Sequence, residues 1–520
     1  MPTSPAVALP SPIEPSAVAE VAAILPAWLS TVQTARALTG VQAAIWHQGE
    51  VAAQVAVGPA DEPSDVPLTT THRLRIASHS KMFCAITILR LVEQGRLRLD
   101  DTLGAHVPEL ADSPVGERTL RDLLSHSAGL TRDGADAGWW ELQRRFPDRE
   151  QLLEIARTAV VTDPGLHLQY SNIGFGLLGL VIESVTGLSF DQSVRELVLE
   201  PVGASPIGSD LPQDVDGPAD PAGFASGHTG SVHGPRRVVE QIPTGALAAA
   251  TGFWATAAAI STFVGRVLCQ DALLDADSVR TMRRRIWSTG DHSGYGLGLQ
   301  QDRIHDFTVL GHSGGFPTGL TRTWAVPASD LVVSVLGSSI DAPSSSLATG
   351  VLGLLALANG APAPGAGSNE AAGALGGASN GRPRPEVLSG QTDLEIDGRS
   401  HSAPEIAEVL AGSYDSLWGR SRLAVLGGRL FALDEASLDP AQDALELRIA
   451  GTRPDPTDPA ITTVELEAWG DSGYGTWAEP LLARWETGSR RPRCSGLWET
   501  GHLARPSAEF AVPDRVRAPR

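Results

Sequence analysis

The stretch IASHSKMF (76–83) holds Lys81, the one lysine in a chain of 520 residues whose 40 basic residues are otherwise arginine. The two cations differ in the one respect that matters for proton transfer. A guanidinium stays protonated under protein conditions, whereas burial or neighbouring positive charge can strip the proton from an amine. Arginine can carry surface charge and ion pairs, but it cannot be a base. A single lysine retained in such a chain is a candidate for that role, and its neighbours decide whether a leftover surface lysine is the better reading.

Ser78 lies three residues before Lys81. Apolar residues at Met82, Ile86, Leu89 and Val92 predict a helix from Ser78 to about Glu93. On a helix, side chains at i and i+3 share a face, with roots about 5–6 Å apart. The amine can then reach the hydroxyl, and the helix start offers free N–H groups to a developing oxyanion. A bare Ser-x-x-Lys is a weak signal; one that contains the only lysine and opens a helix after a loop is a strong one.

Two further segments join it. QYSNIGFGLLGLVIE (169–183) contains Tyr170, one of 4 tyrosines, and Asn172. The other asparagines, Asn359, Asn369 and Asn380, fall in a stretch that reads as linker. A tyrosine hydroxyl can pass a proton, and an asparagine can donate to one group while accepting from another. The plain alternative is an asparagine capping the next helix, and Asn172 could do both. In GHSGGFPTGLTRTWAV (311–326), His312 precedes glycines that let a backbone N–H approach a substrate. Taken alone, His312 is as well read as a loop histidine.

Ser78-x-x-Lys81, Tyr170-x-Asn172 and His312-x-Gly314, in this order, resemble the serine hydrolases related to class C β-lactamases and penicillin-binding proteins. DDTLGAHVPEL (100–110), TLRDLLSHSAGL (119–130) and ATGFWATAAAISTFVGRVL (250–268) are similar to the same family. The resemblance covers roughly residues 20–355. It implies Ser78 as acyl-forming nucleophile, Lys81 as base and Tyr170 as proton shuttle. It implies Asn172, His312, Gly314 and Gly315 as substrate-binding, with the N–H groups of Ser78 and Gly315 as oxyanion hole. One departure stands out. Antibiotic-hydrolysing members carry Lys-Thr-Gly where this chain has His312-Ser313-Gly314. A histidine with an ordinary pKa of about 6.5 is mostly neutral at pH 7. That points to the esterase or D-aminopeptidase branch and away from a β-lactamase or D-Ala-D-Ala carboxypeptidase. A non-catalytic binding or scaffold protein of the same fold is the third reading.

The fold class expected is α+β, β-lactamase-like: an antiparallel sheet flanked by helices, plus an all-helical region. VQAAIWH (41–47) and VAAQVAV (51–57), joined by QGE, predict a hairpin, and LTRTWAV (320–326) and LVVSVLG (331–337) flank the turn PASD. Helical patterns lie between them, so one sheet is built from the two ends of residues 1–358. Residues 359–402 read as a flexible Gly/Ala/Pro linker. Short alternating strands such as LAVLGGRLFAL (423–433) then predict a small all-β barrel over 403–520, similar to the lipocalin-like barrel appended to peptidase and esterase relatives.

Composition bounds the rest. A net charge of −20 argues against nucleic acid and anionic membrane as partners. The longest apolar run read from the sequence, near residues 173–182, is too short for a membrane span. The proline-rich start has no basic residue before Arg36, unlike a signal peptide, so a cytoplasmic protein is expected. Three scattered cysteines fit neither a zinc site nor a disulfide framework. No metal and no cofactor are implied. The expected partner is a small ester, amide or peptide substrate, and homo-oligomerisation is left open. Trp139-Trp140 reads as core, with an aromatic wall beside the substrate as the alternative, and Ser125-His126 as a loop-to-helix signal.

Overall fold

The computed structural model describes residues 12–61, 66–211, 223–361, 384–437, 444–469, 479–487 and 491–512, with residue 440 and the backbone of 515–516. The proline-rich start and the middle of the expected linker lie outside the described residues.

Strands β1 (Val41–His47) and β2 (Glu50–Val57) come from the N-terminal end. Strands β3 (Trp287–Ser288), β4 (Gly294–Tyr295), β5 (Gln300–Ile304), β6 (Phe307–Phe316), β7 (Gly319–Val326) and β8 (Leu331–Gly337) follow the helical region. They form one eight-stranded sheet in the order β3-β4-β5-β6-β7-β8-β1-β2. Central strand β1 is buried along its whole length. Its period-2 alternation sends Val41, Ala43 and Ile45 into one core and Ala44 and Trp46 into another. Leu331, Val333 and Val335 of β8 join the first core, and Val332 and Leu336 the second.

Helices α1 (Pro15–Ala35) and α5 (Ser344–Ala358) cover the first face; α2 (Ser80–Glu93), α3 (Asn172–Thr186) and α4 (Ala257–Val264) build the second core. Helix α1 corrects one expectation. At 21 residues with hydropathy 1.3 it is long and apolar enough to cross a membrane by length and composition. Here it buries Ala17, Val18, Val21, Leu25 and Leu29 against the sheet, the spacing of a core-facing stripe. Asn359 is also not a linker residue. It ends α5, accepts from the Glu14 N–H at 3.0 Å and donates to the Pro12 carbonyl at 3.2 Å, tying the two covering helices together.

The C-terminal part is a closed eight-stranded barrel running from Gly412–Ser416 to His502–Pro506. The Gly427-Gly428 turn between two of its strands has both glycines at positive φ, 55° and 72°, as a tight hairpin demands. Two differences from the sequence reading appear. Residues 384–402 are not all linker: Leu388 and the hairpin Leu394–Ile396/Arg399–His401 pack on the barrel, with Leu388 and Ile396 in its core. A helix also precedes the first barrel strand. Helix Ala403–Leu410, opened by a Ser402/Glu405 capping box, buries Ile406, Ala407 and Leu410 in the same core. Its short amphipathic pattern was masked by the neighbouring strand signals.

Candidate active site

Residues 76–79 are held as a strained turn before α2. Ala77 sits at φ 47°, in the left-handed region, and Ala77–His79 form a single 3-10 turn, so the regular helix begins at Ser80 and not at Ser78. Such strain persists only where surroundings over-determine it. Here the Ile76 N–H donates to Phe253 O at 2.9 Å, Ser80 Oγ accepts from the Phe253 N–H at 3.0 Å, and His79 Nδ1 meets Ile76 O at 2.7 Å. Ile76, Ala77, His79, Ser80 and Lys81 are buried, while Ser78 is half-buried and lines a cleft of about 410 Å³.

Lys81 is fully buried, with 0% exposure. Its Nζ lies 3.2 Å from Ser78 Oγ, 2.7 Å from Asn172 Oδ1 and 2.9 Å from Ala250 O. Burial drives its pKa well below the ordinary lysine value, with Asp133 opposing and Arg132 assisting that shift. The three partners have a chemical consequence. A neutral amine has two protons and one lone pair. Asn172 Oδ1 and Ala250 O take the protons, which leaves the lone pair for the Ser78 hydroxyl.

Asn172 is the first residue of α3. Ser171 is the cap, its Oγ accepting the Gly174 N–H at 3.0 Å, so capping does not occupy the asparagine. The amide instead bridges Lys81 and Asp133, donating to Asp133 Oδ1 at 2.9 Å. Asp133 is buried and stands 3.4 Å from Arg132 Nε; burial, the largest influence, holds its carboxyl above the usual range. Tyr170 lines the cleft beside Ser78, with its ring centroid 4.7 Å from Lys81 Nζ. His126 backs it at 4.2 Å between ring centroids, and its Nδ1 accepts the Ser171 N–H at 3.1 Å. The loop histidine thus fixes the Tyr170 segment from behind.

The third motif is divided by strand alternation. Ser313 and Gly315 line the cleft. His312 and Gly314 are not among the residues that line it, although the His312 ring lies 6.4 Å from that of Tyr170 between centroids. His312 is fully buried; its Nδ1 lies 2.6 Å from Ser313 O and its Nε2 3.2 Å from Tyr295 Oη. Burial and the nearby Lys81 push it well below the usual histidine value, so it is neutral. Gly314 is a packing residue: a Cβ there would lie 2.3 Å from Ile76 O and 2.4 Å from Thr321 Oγ1. The backbone of Gly315 is the useful part. The Ser313 N–H points toward Gln300 Oε1 at 3.2 Å. Two residues on, Gly315 presents its N–H on the same strand edge. The pairing of β6 with β5 has already ended at Gly311, so that edge opens on the cleft.

Gly314→Ala is therefore expected to push β6 off the serine loop. It should cost about 1–3 kcal/mol of stability and at least about tenfold in turnover. Thermal unfolding beside a steady-state assay checks this; an unchanged midpoint and rate would contradict the close packing.

The barrel supplies the rest of the cleft wall, including Trp418, Arg420, Asp434, Glu499 and His502. Trp418 donates through Nε1 to Trp140 O at 3.2 Å, and the two rings meet edge-on at 5.9 Å. Trp139 is core as expected, but Trp140 also lines the cleft. Arg420 is committed to Asp415 through two bonds of 2.7 and 2.9 Å. Sequence reasoning missed Asp133, Tyr295 and every barrel contribution. Tyrosine scarcity, which singled out Tyr170, applies equally to Tyr295; nothing in the sequence placed the barrel on the cleft. Among the described residues there is no group of His, Cys, Asp and Glu that could hold a metal.

A family model described as Beta-lactamase matches residues 26–353. The chain belongs to the beta-lactamase family. Esterase EstB of Burkholderia gladioli is 31% identical over 211 residues, 36% of this chain and 52% of the esterase. The chain spans about a third to a half of the length of the curated relatives it matches. D-amino acid amidase from Ochrobactrum anthropi SV3 shares the fold with a TM-score of 0.55 at 22% identity, over 65% of this chain and 97% of the amidase. The octameric penicillin-binding protein homologue from Pyrococcus abyssi gives 0.57 at 20% identity, over 93% of this chain and 99% of that one. The beta-lactamase match ends before the barrel, so the barrel's share of the cleft lies outside the matched residues.

Proposed function

We propose that the chain is a serine hydrolase that forms an acyl-enzyme on Ser78 from small esters or D-amino-acid amides and peptides. The observation that carries this reading is the buried Lys81 amine, 3.2 Å from Ser78 Oγ, with Asn172 Oδ1 and Ala250 O placed to accept its two protons. The neutral amine takes the hydroxyl proton as Ser78 attacks the substrate carbonyl. The Ser78 and Gly315 N–H groups receive the developing oxyanion. Tyr170 passes the proton to the leaving group, and water then releases the acid by the reverse relay. The neutral, buried His312 offers no cation to a substrate carboxylate, which ranks the β-lactamase and D-Ala-D-Ala carboxypeptidase readings lower. Between ester and D-aminoacyl substrates the relatives named above support both.

A panel of p-nitrophenyl esters, D-aminoacyl anilides, their L-counterparts and a chromogenic cephalosporin tests the substrate class. Turnover of the esters or D-anilides with little of the cephalosporin is expected; preferential hydrolysis of the cephalosporin would overturn the ranking. The reading also fixes a pH dependence. A lysine whose pKa is lowered is neutral at lower pH than usual, so acylation should rise with pH through that lowered value and be flat well before 10.5, the ordinary lysine value. An inflection near 10.5 would contradict the base assignment. Trp418 roofs the cleft, so Trp418→Ala is expected to raise KM about five- to tenfold for aryl esters with kcat little changed. An unchanged KM would remove the barrel from substrate contact.

A further inference from the structure

The barrel does more than cover the cleft. One carboxylate oxygen, Oε1 of Glu479, accepts both the Arg132 N–H and, at 2.9 Å, the Gln169 side-chain amide. These two donors lie on two separate loops, the one that carries Tyr170 and the one that carries Asp133. Gln169 immediately precedes Tyr170. Arg132 immediately precedes Asp133, and its carbonyl accepts the Asn172 N–H at 2.8 Å. The Arg132 peptide is thus gripped between Glu479 on one side and the start of α3 on the other. From there Asp133 holds the Asn172 amide at 2.9 Å, and Asn172 holds Lys81 at 2.7 Å.

We propose that Glu479 is a positioning residue, through which the docked barrel aligns the Tyr170–Asn172 and Arg132–Asp133 loops around Ser78 and Lys81. The inference rests on the acyl-enzyme reading above. Its physical content is a single shared acceptor, which ties the two loops to each other as well as to the barrel. Docking itself does not depend on it. The Leu417 N–H donates to Glu141 Oε2 at 2.8 Å, Trp418 donates to Trp140 O, and the Ala137 N–H donates to Gly501 O at 2.5 Å. Losing Glu479 therefore leaves the barrel seated and the Asn172–Arg132 bond in place but removes the tie from both loops to the barrel, and a misplacement of about 1 Å in a catalytic group can cost about 100-fold in rate.

The test compares Glu479→Ala and Glu479→Gln in the full chain, with p-nitrophenyl acetate kinetics and the rate of Ser78 labelling by a fluorophosphonate. The alanine is expected to lower kcat about 10- to 100-fold with KM within about threefold. The glutamine keeps an acceptor oxygen and should recover kcat to within about threefold of wild type. If the alanine variant does not fold, Gln169→Leu removes one of the two donors and should still lower kcat several-fold. Wild-type kcat in Glu479→Ala, or equal loss in the alanine and glutamine variants, would overturn the proposal while leaving Ser78 reactive. Absence of labelling in the wild type would instead remove the acyl-enzyme reading, and the positioning role with it.

Discussion

Lys81→Arg is expected to lower turnover by roughly 10³–10⁴-fold, although the positive charge is kept. The guanidinium cannot accept the Ser78 proton, and its planar fork does not fit acceptors arranged for a tetrahedral amine. The site is fully buried, so the larger head group must also displace the Tyr170 and Phe175 rings, now 4.7 and 5.5 Å from Nζ. Lys81→Met separates the two effects. It keeps the length and removes the base, leaving Asn172 Oδ1 and Ala250 O without their donor at a cost of about 1–3 kcal/mol. Both variants should lose activity to a similar extent while Lys81→Met remains folded in circular dichroism. Near wild-type rates in either would remove Lys81 from the mechanism.

Tyr170→Phe is expected to lower kcat about 10²–10³-fold with little loss of stability. The phenyl ring keeps its place over Lys81 and against His126, where most of the packing lies. Only the hydroxyl is lost, and with it the route proposed above for the proton to reach the leaving group. Burst kinetics with a p-nitrophenyl ester report which step suffers. An unchanged steady-state rate would mean that Lys81 alone handles both proton transfers.

Much of this site was legible in the sequence because scarcity marked it. One lysine, one asparagine in a strong helix start and few tyrosines pointed to Ser78, Lys81, Tyr170 and Asn172, which the structure brings together around one cleft. The sheet was legible for a different reason: hydrophobic periodicity in β1 and β8 is a local property, and both ends of the domain carried it. What the sequence hid is long-range. Asp133 is one acidic residue among 60 Asp and Glu, and only the fold brings it to Asn172. A motif names residues in order, whereas a strand presents alternate ones: of the expected substrate-binding set Asn172, His312, Gly314 and Gly315, the cleft lining includes Asn172 and Gly315, with Ser313 between the other two. The barrel residues that wall the cleft are more than 240 positions from Asn172, and no local pattern encodes that meeting. The same holds for Glu479, whose significance lies in two donors 347 and 310 residues away.

The most direct test of the central claim is intact-mass analysis of the full chain after incubation with a fluorophosphonate, followed by peptide mapping. The account predicts a single adduct, on Ser78, formed far more slowly in Lys81→Arg. Folded wild-type protein that takes up no adduct, or takes it up on another serine, would contradict it.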